Sequence, residues 1–322
     1  MDIQAGAADP RRIVVIGAGA IGGLLGGLLA EGGHNVTLVD TWEDQVAALR
    51  RDGLRLVDDR GERAVRLAAA SSVDGLGQAD LVLVQVKTPA TQAAARSARA
   101  IAGPDTVVLT LQNGLGNREV IREEVADRPV LAGVTYHSAA LLAPGRIRHT
   151  AAGRTVVGGE GERGTAAAAA VVALLRAAGL DAEATDDLDR LLWSKLVVNA
   201  TFNALCAISG LRSGELLRFP SSAALAREVT GEVVAVARAL GHDLDEAAEH
   251  ERIATICAGA GDALPSMAQD LARGSWTEID AINGAVAREG ERQGVPAPSN
   301  RLLARLVRVI EALHYGEERA EP

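Results

Sequence analysis

Residues 12–40 pass through three hydrophobic textures in quick succession. Ile13-Val14-Val15-Ile16 is a short unbroken apolar run, the pattern of a strand covered on both faces. Residues 20–30 are apolar and rich in small side chains, as in a closely packed helix. Val36 to Val39 returns to strand character and ends on Asp40. Between the first strand and the helix lies Gly17-Ala18-Gly19-Ala20-Ile21-Gly22. Strand, glycine turn, helix and second strand ending in an acid form the dinucleotide-binding βαβ fingerprint in its full context. Gly17 allows the tight turn, Gly19 a close backbone approach to a pyrophosphate, and Gly22 the packing of helix on sheet. The amides of Ala20 and Ile21 open the helix and face the phosphates with its positive dipole end.

The alternation of apolar textures continues. A helix is predicted from Trp42 to Arg51, and a hairpin from Leu54–Val57 and Ala64–Leu67 around Asp58-Asp59-Arg60-Gly61. Buried strands are predicted over Ala79–Lys87, Thr106–Leu111 and Val130–Tyr136, with a helix opening at Thr88-Pro89. Ile147–Thr150 and Thr155–Val157 read as an antiparallel pair joined at Gly153. A helix over Thr165–Ala178 and a strand over Ala182–Thr185 complete this half. Strands alternating with helices predict a doubly wound sheet of the Rossmann type. From Asp187 onward the period is helical throughout. Helices are expected over Leu188–Ile208, Ala223–Leu240, Asp245–Ala258, Ser266–Gly274, Glu278–Gln293 and Arg301–Leu313. The fold class is therefore α/β with a C-terminal all-helical domain. The expected boundaries are 1–186 for the dinucleotide-binding domain and 187–322 for a helical substrate and catalytic domain.

Composition narrows the function. A net charge of −9 without a basic block argues against nucleic acid as a partner. Cys206 and Cys257 are too few for a disulfide framework or a metal site, and they suit a reducing cytoplasm. Arg11-Arg12 before the uncharged run 13–30 imitates a targeting signal or a membrane span. Six glycines in those 18 positions make a poor isolated helix. No membrane partner and no metal are expected. The polar ends, 1–10 and 316–322, are expected to fray.

Three groups of residues could carry chemistry. Lys195, Asn199 and Asn203 lie four apart and share one helix face among apolar neighbours. That pattern suits a polar cleft, where a buried lysine of lowered pKa can donate a proton. The segment 266–284 holds Ser266, Glu278, Asp280 and Asn283. Ser266 could instead be a helix N-cap, and Glu278 a first-turn acid favoured by the helix dipole. Lys87, Asn113 and His137 fall at the C-terminal ends of sheet strands, where doubly wound folds bind ligands. Lys87 could equally be solvated, and Asn113 a turn residue. His34, His149 and His242 read as surface positions.

Taken together, these motifs resemble the ketopantoate reductase family (2-dehydropantoate 2-reductase) from Arg12 to about Leu313. The resemblance rests on the glycine turn, Lys87, Gln112-Asn113-Gly114, Lys195 with Asn199 and Asn203, Ser266-Met267-x-Gln269-Asp270, and Thr277-Glu278-Ile279-Asp280-x-Ile282-Asn283-Gly284. It implies reduction of a 2-oxo acid, ketopantoate, to D-pantoate, a precursor of pantothenate. Lys195 would be the general acid, and Glu278 would bind the substrate hydroxyl and orient Lys195. Ser266 would hold the substrate carboxylate, Asn199 and Asn203 the substrate, and Asn113 would sit between substrate and cofactor. Lys87 would lie near the nicotinamide. Because these residues fall in two domains, the resemblance also implies a cleft that closes.

One departure concerns the cofactor. The family usually prefers NADPH, whereas Asp40, followed by Glu43 and Asp44, repels a 2′-phosphate and can bind both ribose hydroxyls. NADH is therefore expected. The alternatives are an NAD-dependent reductase or dehydrogenase for another 2-oxo or 2-hydroxy acid, and a non-catalytic dinucleotide sensor. A homodimer through the helical half is left open.

Overall fold

The computed structural model describes residues 10–316. The frayed ends expected from sequence lie, apart from Pro10 and Gly316, outside the described residues. The chain divides into two compact units. One comprises residues up to 86, 90–112 and 118–186. The other comprises residues from 187 on, together with the short segments 87–89 and 113–117.

In the first unit, β1 (Arg12–Ile16), α1 (Ala20–Glu31) and β2 (Asn35–Val39) form the opening βαβ. Then come α2 (Glu43–Asp52), β3 (Leu54–Asp58), β4 (Gly61–Val65), β5 (Ala68–Ala70) and β6 (Ala79–Val84). They are followed by α3 (Thr91–Ile101), β7 (Ala102–Thr110), α4 (Asn117–Val125), β8 (Val130–Thr135), β9 (Ser138–Ala143) and β10 (Arg146–Ala151). β11 (Thr155–Gly158), α5 (Gly161–Ala177) and β12 (Ala182–Ala184) close the unit.

Eight strands form the main sheet in the order β12-β11-β8-β7-β6-β1-β2-β5, parallel except where β11 meets β8. Strand period sends Ile13 and Val15 into one apolar layer with Leu24, Leu38 and Leu83. Val14 and Ile16 go into the opposite layer with Val82, Ala95 and Val108. Both faces are thus covered, as a parallel sheet requires.

A second sheet, β4-β3-β10-β9, corrects the expected pairing of 147–150 with 155–157. β10 pairs instead with β9 and β3, while β11 belongs to the main sheet. Burial explains the difference. β11 is buried at every position, but β10 alternates around Ile147 and so fits a sheet with one open face. The strand ending in Lys87 is also shorter than expected. It stops at Val84, and a 3₁₀ turn (Thr88–Ala90) precedes α3.

The second unit is helical: α6 (Leu188–Ser209), α7 (Pro220–Ala239), α8 (Glu246–Ala260), α9 (Ser266–Ala272), α10 (Asn283–Gln293) and α11 (Pro298–Tyr315). α6 is long and apolar enough to cross a membrane by composition. Here Trp193, Leu196, Val197 and Phe202 instead enter the apolar core of this unit. Two buried asparagines knit the bundle. Asn283 Nδ2 donates to Ala200 O at 3.1 Å and to Asn300 Oδ1 at 2.9 Å, and Asn300 Nδ2 donates to Glu232 at 2.8 Å. α10 begins five residues later than expected, because 278–282 form turns.

Candidate active site

The glycine turn of the first unit is held by backbone geometry. Gly17 has φ +102°, and a Cβ there would sit 2.6 Å from Gln85 O. Its N–H donates to Val39 O at 2.8 Å, tying the turn to the end of β2. A Cβ at Gly22 would collide with Gly17 O, so turn and helix approach as only glycine allows. α1 starts after Gly19 with no side-chain cap and no acid in its first turn. The opening amides, those of Ala20 and Ile21 among them, therefore have no partner within the helix, and the space beside Gly19 is open. This donor set fits a pyrophosphate.

Asp40 braces the same turn. Its Oδ2 accepts from Ala18 N at 2.7 Å and its Oδ1 from Trp42 N at 2.9 Å. The buried Gln45, which sequence reasoning missed, donates to Ala18 O at 2.6 Å and accepts from Gly145 N at 2.6 Å.

In the second unit a continuous polar chain joins four of the expected residues. Asn199 Nδ2 donates to Asn113 Oδ1 at 3.2 Å, and Asn113 Nδ2 donates to Glu278 Oε2 at 3.3 Å. Lys87 Nζ lies 3.7 Å from the same Glu278 oxygen and 2.5 Å from Asp270 Oδ2. Gly114, at φ +87°, turns the chain after Asn113, and Leu115 N donates to Ala281 O at 2.9 Å. Asn203 is buried one turn beyond Asn199 on α6.

Glu278 sits in the turns before α10, not in a first helical turn, so the dipole reading does not apply. Burial pushes its carboxyl pKa upward, against the pull of Lys87 and the Asn113 amide. Asp270 is raised for the same first reason. Burial alone would lower Lys87, but the two carboxylates outweigh it and hold the ammonium charged. One cation thus serves two buried acids.

Lys195 is half-buried on α6. Burial, with the nearby Arg252 guanidinium, lowers its pKa to about 8. Arg252 on α8 is clamped in place: it donates to Ser194 O at 3.1 Å, to Ser194 Oγ, and to Glu249 Oε2 at 3.1 Å. Arg252 was not singled out from sequence, and Asp270 entered only as part of the Ser266-Met267-x-Gln269-Asp270 motif, with no role assigned to it. A buried acid one helical turn after Ser266 was the available signal for Asp270. Ser266 is exposed at the first position of α9, and Pro265 takes the N-cap place, which corrects that alternative.

The histidines are not the surface residues expected. His34 accepts from Arg11 N at 3.3 Å, and His242 stacks near Trp193 with centroids 6.3 Å apart. His137 Nδ1 and His149 Nε2 lie 3.0 Å apart, beside a groove of about 1010 Å³ in the first unit. Both cysteines are buried and free, and burial pushes Cys206 up to about 12. No group of acids, histidines and cysteines suited to a metal occurs among the described residues.

Two family models match the chain, ketopantoate reductase PanE/ApbA over residues 13–161 and its C-terminal counterpart over 187–311. A 2-dehydropantoate 2-reductase of Halobacterium salinarum is 37% identical, covering 93% of this chain and 99% of that protein. The chain belongs to the ketopantoate reductase family. These are NAD(P)-dependent oxidoreductases acting on a CH–OH group. Among solved structures, the family's ketopantoate reductase from Ralstonia eutropha JMP134 is 37% identical with TM-score 0.86, covering 94% of this chain and 99% of that one. D-mandelate dehydrogenase with NADH and anilino(oxo)acetate is 28% identical with TM-score 0.89, at the same coverage of both chains.

Proposed function

We propose that this protein reduces the ketone of ketopantoate to give D-pantoate, with Lys195 as the general acid. The observation that carries the reading is that one helical unit holds both a lysine on α6 whose pKa is lowered to about 8 and a buried Glu278 whose pKa is raised. A reduced nicotinamide, when bound at the glycine turn, supplies hydride to the carbonyl carbon. Lys195 polarises the carbonyl oxygen and gives its proton to the alkoxide that forms. Such acid catalysis contributes roughly 10²–10⁴ in rate. Glu278 accepts a hydrogen bond from the substrate hydroxyl and orients Lys195. Ser266 binds the substrate carboxylate, and Asn199 and Asn203 align the chain of the substrate without adding charge. Asn113 bridges the substrate and cofactor sides. Lys87 serves the nicotinamide end while neutralising the acids beside it.

Gly17, Gly19, Ala20, Ile21 and Gly22 would hold the pyrophosphate, and Asp40 the adenosine ribose. Asp40 favours NADH, since a 2′-phosphate would meet a carboxylate rather than a cation. The protein is placed in the cytoplasm on the same reading, as a biosynthetic enzyme with two reduced cysteines.

A second reading is favoured by the likeness to D-mandelate dehydrogenase, solved with NADH. On that reading the substrate is another bulky 2-oxo acid, reached by the same proton and hydride transfer. Steady-state oxidation of NADH and NADPH against ketopantoate and a panel of 2-oxo acids separates the two. The highest kcat/KM with ketopantoate supports the first reading; a clear preference for an aromatic 2-oxo acid supports the second.

A further inference from the structure

The buried stripe of α11 changes character along its length. Leu303, Ala304 and Val307 enter the apolar core of the helical unit. Toward the C-terminal end the stripe continues with Arg308 and Glu311, 3% and 1% exposed. Buried charges are costly unless partnered, and both find partners in the turns that carry Glu278. Glu311 Oε1 accepts from Thr277 N at 2.7 Å. Arg308 Nε donates to Asp280 Oδ1 at 2.8 Å. Tyr315, one turn beyond Glu311, donates from its hydroxyl to Gly274 O at 2.5 Å. Its ring stacks on Trp276, with centroids 3.8 Å apart and planes 7° from parallel. Positions 308, 311 and 315 follow the helical period, so one face of one helix grips both flanks of Glu278.

We propose that Arg308 and Glu311 are positioning residues for the reaction. They fix the turns so that the Glu278 carboxylate meets the substrate hydroxyl in one orientation. The inference rests on the reading of Glu278 as a substrate-binding residue. Stability alone does not call for this arrangement, because well-packed apolar side chains often replace a buried ion pair without loss. What the charged groups add is direction, since a charge-assisted hydrogen bond fixes both distance and angle. Direction matters here: a shift of about 1 Å in a positioned group can cost on the order of 10²-fold in rate.

The test is a mutant cycle on kcat/KM with ketopantoate, made in the full chain. Far-UV circular dichroism and fluorescence titration with NADH serve as folding controls. Arg308→Met/Asp280→Leu replaces the buried ion pair by apolar side chains, and Glu311→Leu removes the acceptor for Thr277 N. Both should keep helicity and NADH affinity while kcat/KM falls by roughly 10- to 10²-fold. Tyr315→Phe, which removes one hydroxyl and no buried charge, should fold as the wild type does and show a smaller loss. In a Glu278→Gln background all three changes should cost nothing further, because residues that act only through Glu278 have nothing left to position. Folded variants with wild-type kcat/KM overturn the proposal. Losses that persist in full on top of Glu278→Gln overturn it too, since they mark a general packing defect. Glu278→Gln with wild-type kcat/KM would instead refute the role of Glu278 itself, a separate outcome that removes the reading beneath the inference.

Discussion

Lys87 Nζ stands 2.5 Å from Asp270 Oδ2, although 183 positions separate the two residues in sequence. The same ammonium reaches Glu278, so it is the cation that keeps a pair of buried acids tolerable. Replacing Lys87 by Met leaves both acids without it. Loss of one partner from a buried pair costs about 3–5 kcal/mol. Lys87's side chain is 41% exposed, so solvent screens part of that. A loss of about 1–3 kcal/mol is expected in denaturant unfolding. The variant should also regain stability on mild acidification. Glu278 and Asp270 have folded pKa values above their unfolded ones, so the native state binds more protons and its stability falls as pH rises through that range. Stability that stays flat between pH 7 and pH 5 in this variant would contradict the assignment.

Asp40 governs the choice of cofactor in this account. Asp40→Ser removes the negative charge that a 2′-phosphate would meet, so the ratio of kcat/KM for NADH over NADPH should fall by at least tenfold. The carboxylate also accepts hydrogen bonds from Ala18 N and Trp42 N. A stability loss of about 1 kcal/mol is therefore expected alongside, the usual net worth of a hydrogen bond. An unchanged ratio between the cofactors would remove Asp40 from that role.

Arg252 tunes Lys195 from the neighbouring helix. Burial is the larger cause of the lowered lysine pKa and the guanidinium the second. Arg252→Gln keeps hydrogen-bonding capacity toward Ser194 but removes the charge. The alkaline limb of kcat/KM should move to higher pH, and Arg252→Lys should leave it near its original place. A limb at the same pH in Arg252→Gln would mean that burial alone sets the value.

The sheet unit was legible because its signals are local. Ile13 to Ile16 with the glycine turn and Asp40 specify strand, turn and helix within a few residues. The Lys195, Asn199 and Asn203 face was legible from helical spacing alone. The second sheet was not. β9 is only half-buried, and β10 carries a single fully buried residue, Ile147, so neither has a strong strand pattern. Residues 278–282 carry a helical period, yet tertiary bonds hold them as turns: Arg308 Nε donates to Asp280 Oδ1 at 2.8 Å, and Thr277 N to Glu311 Oε1 at 2.7 Å. The roles of Asp270 and Arg252 depend on partners brought together by folding, which no short window contains.

Lys195 acts through the proton it gives up, and the pH profile of kcat/KM with its alanine variant tests that most directly. A general acid must hold its proton to act, and Lys195 does so below its pKa of about 8. The wild-type value should be level on the acid side of that point and fall about tenfold for each pH unit above it. Lys195→Ala should lose roughly 10²–10⁴ in kcat and the alkaline limb with it. Its NADH binding, read by fluorescence titration, should be unchanged. A Lys195→Ala enzyme that turns over ketopantoate at the wild-type rate, with the same alkaline limb, would contradict the account.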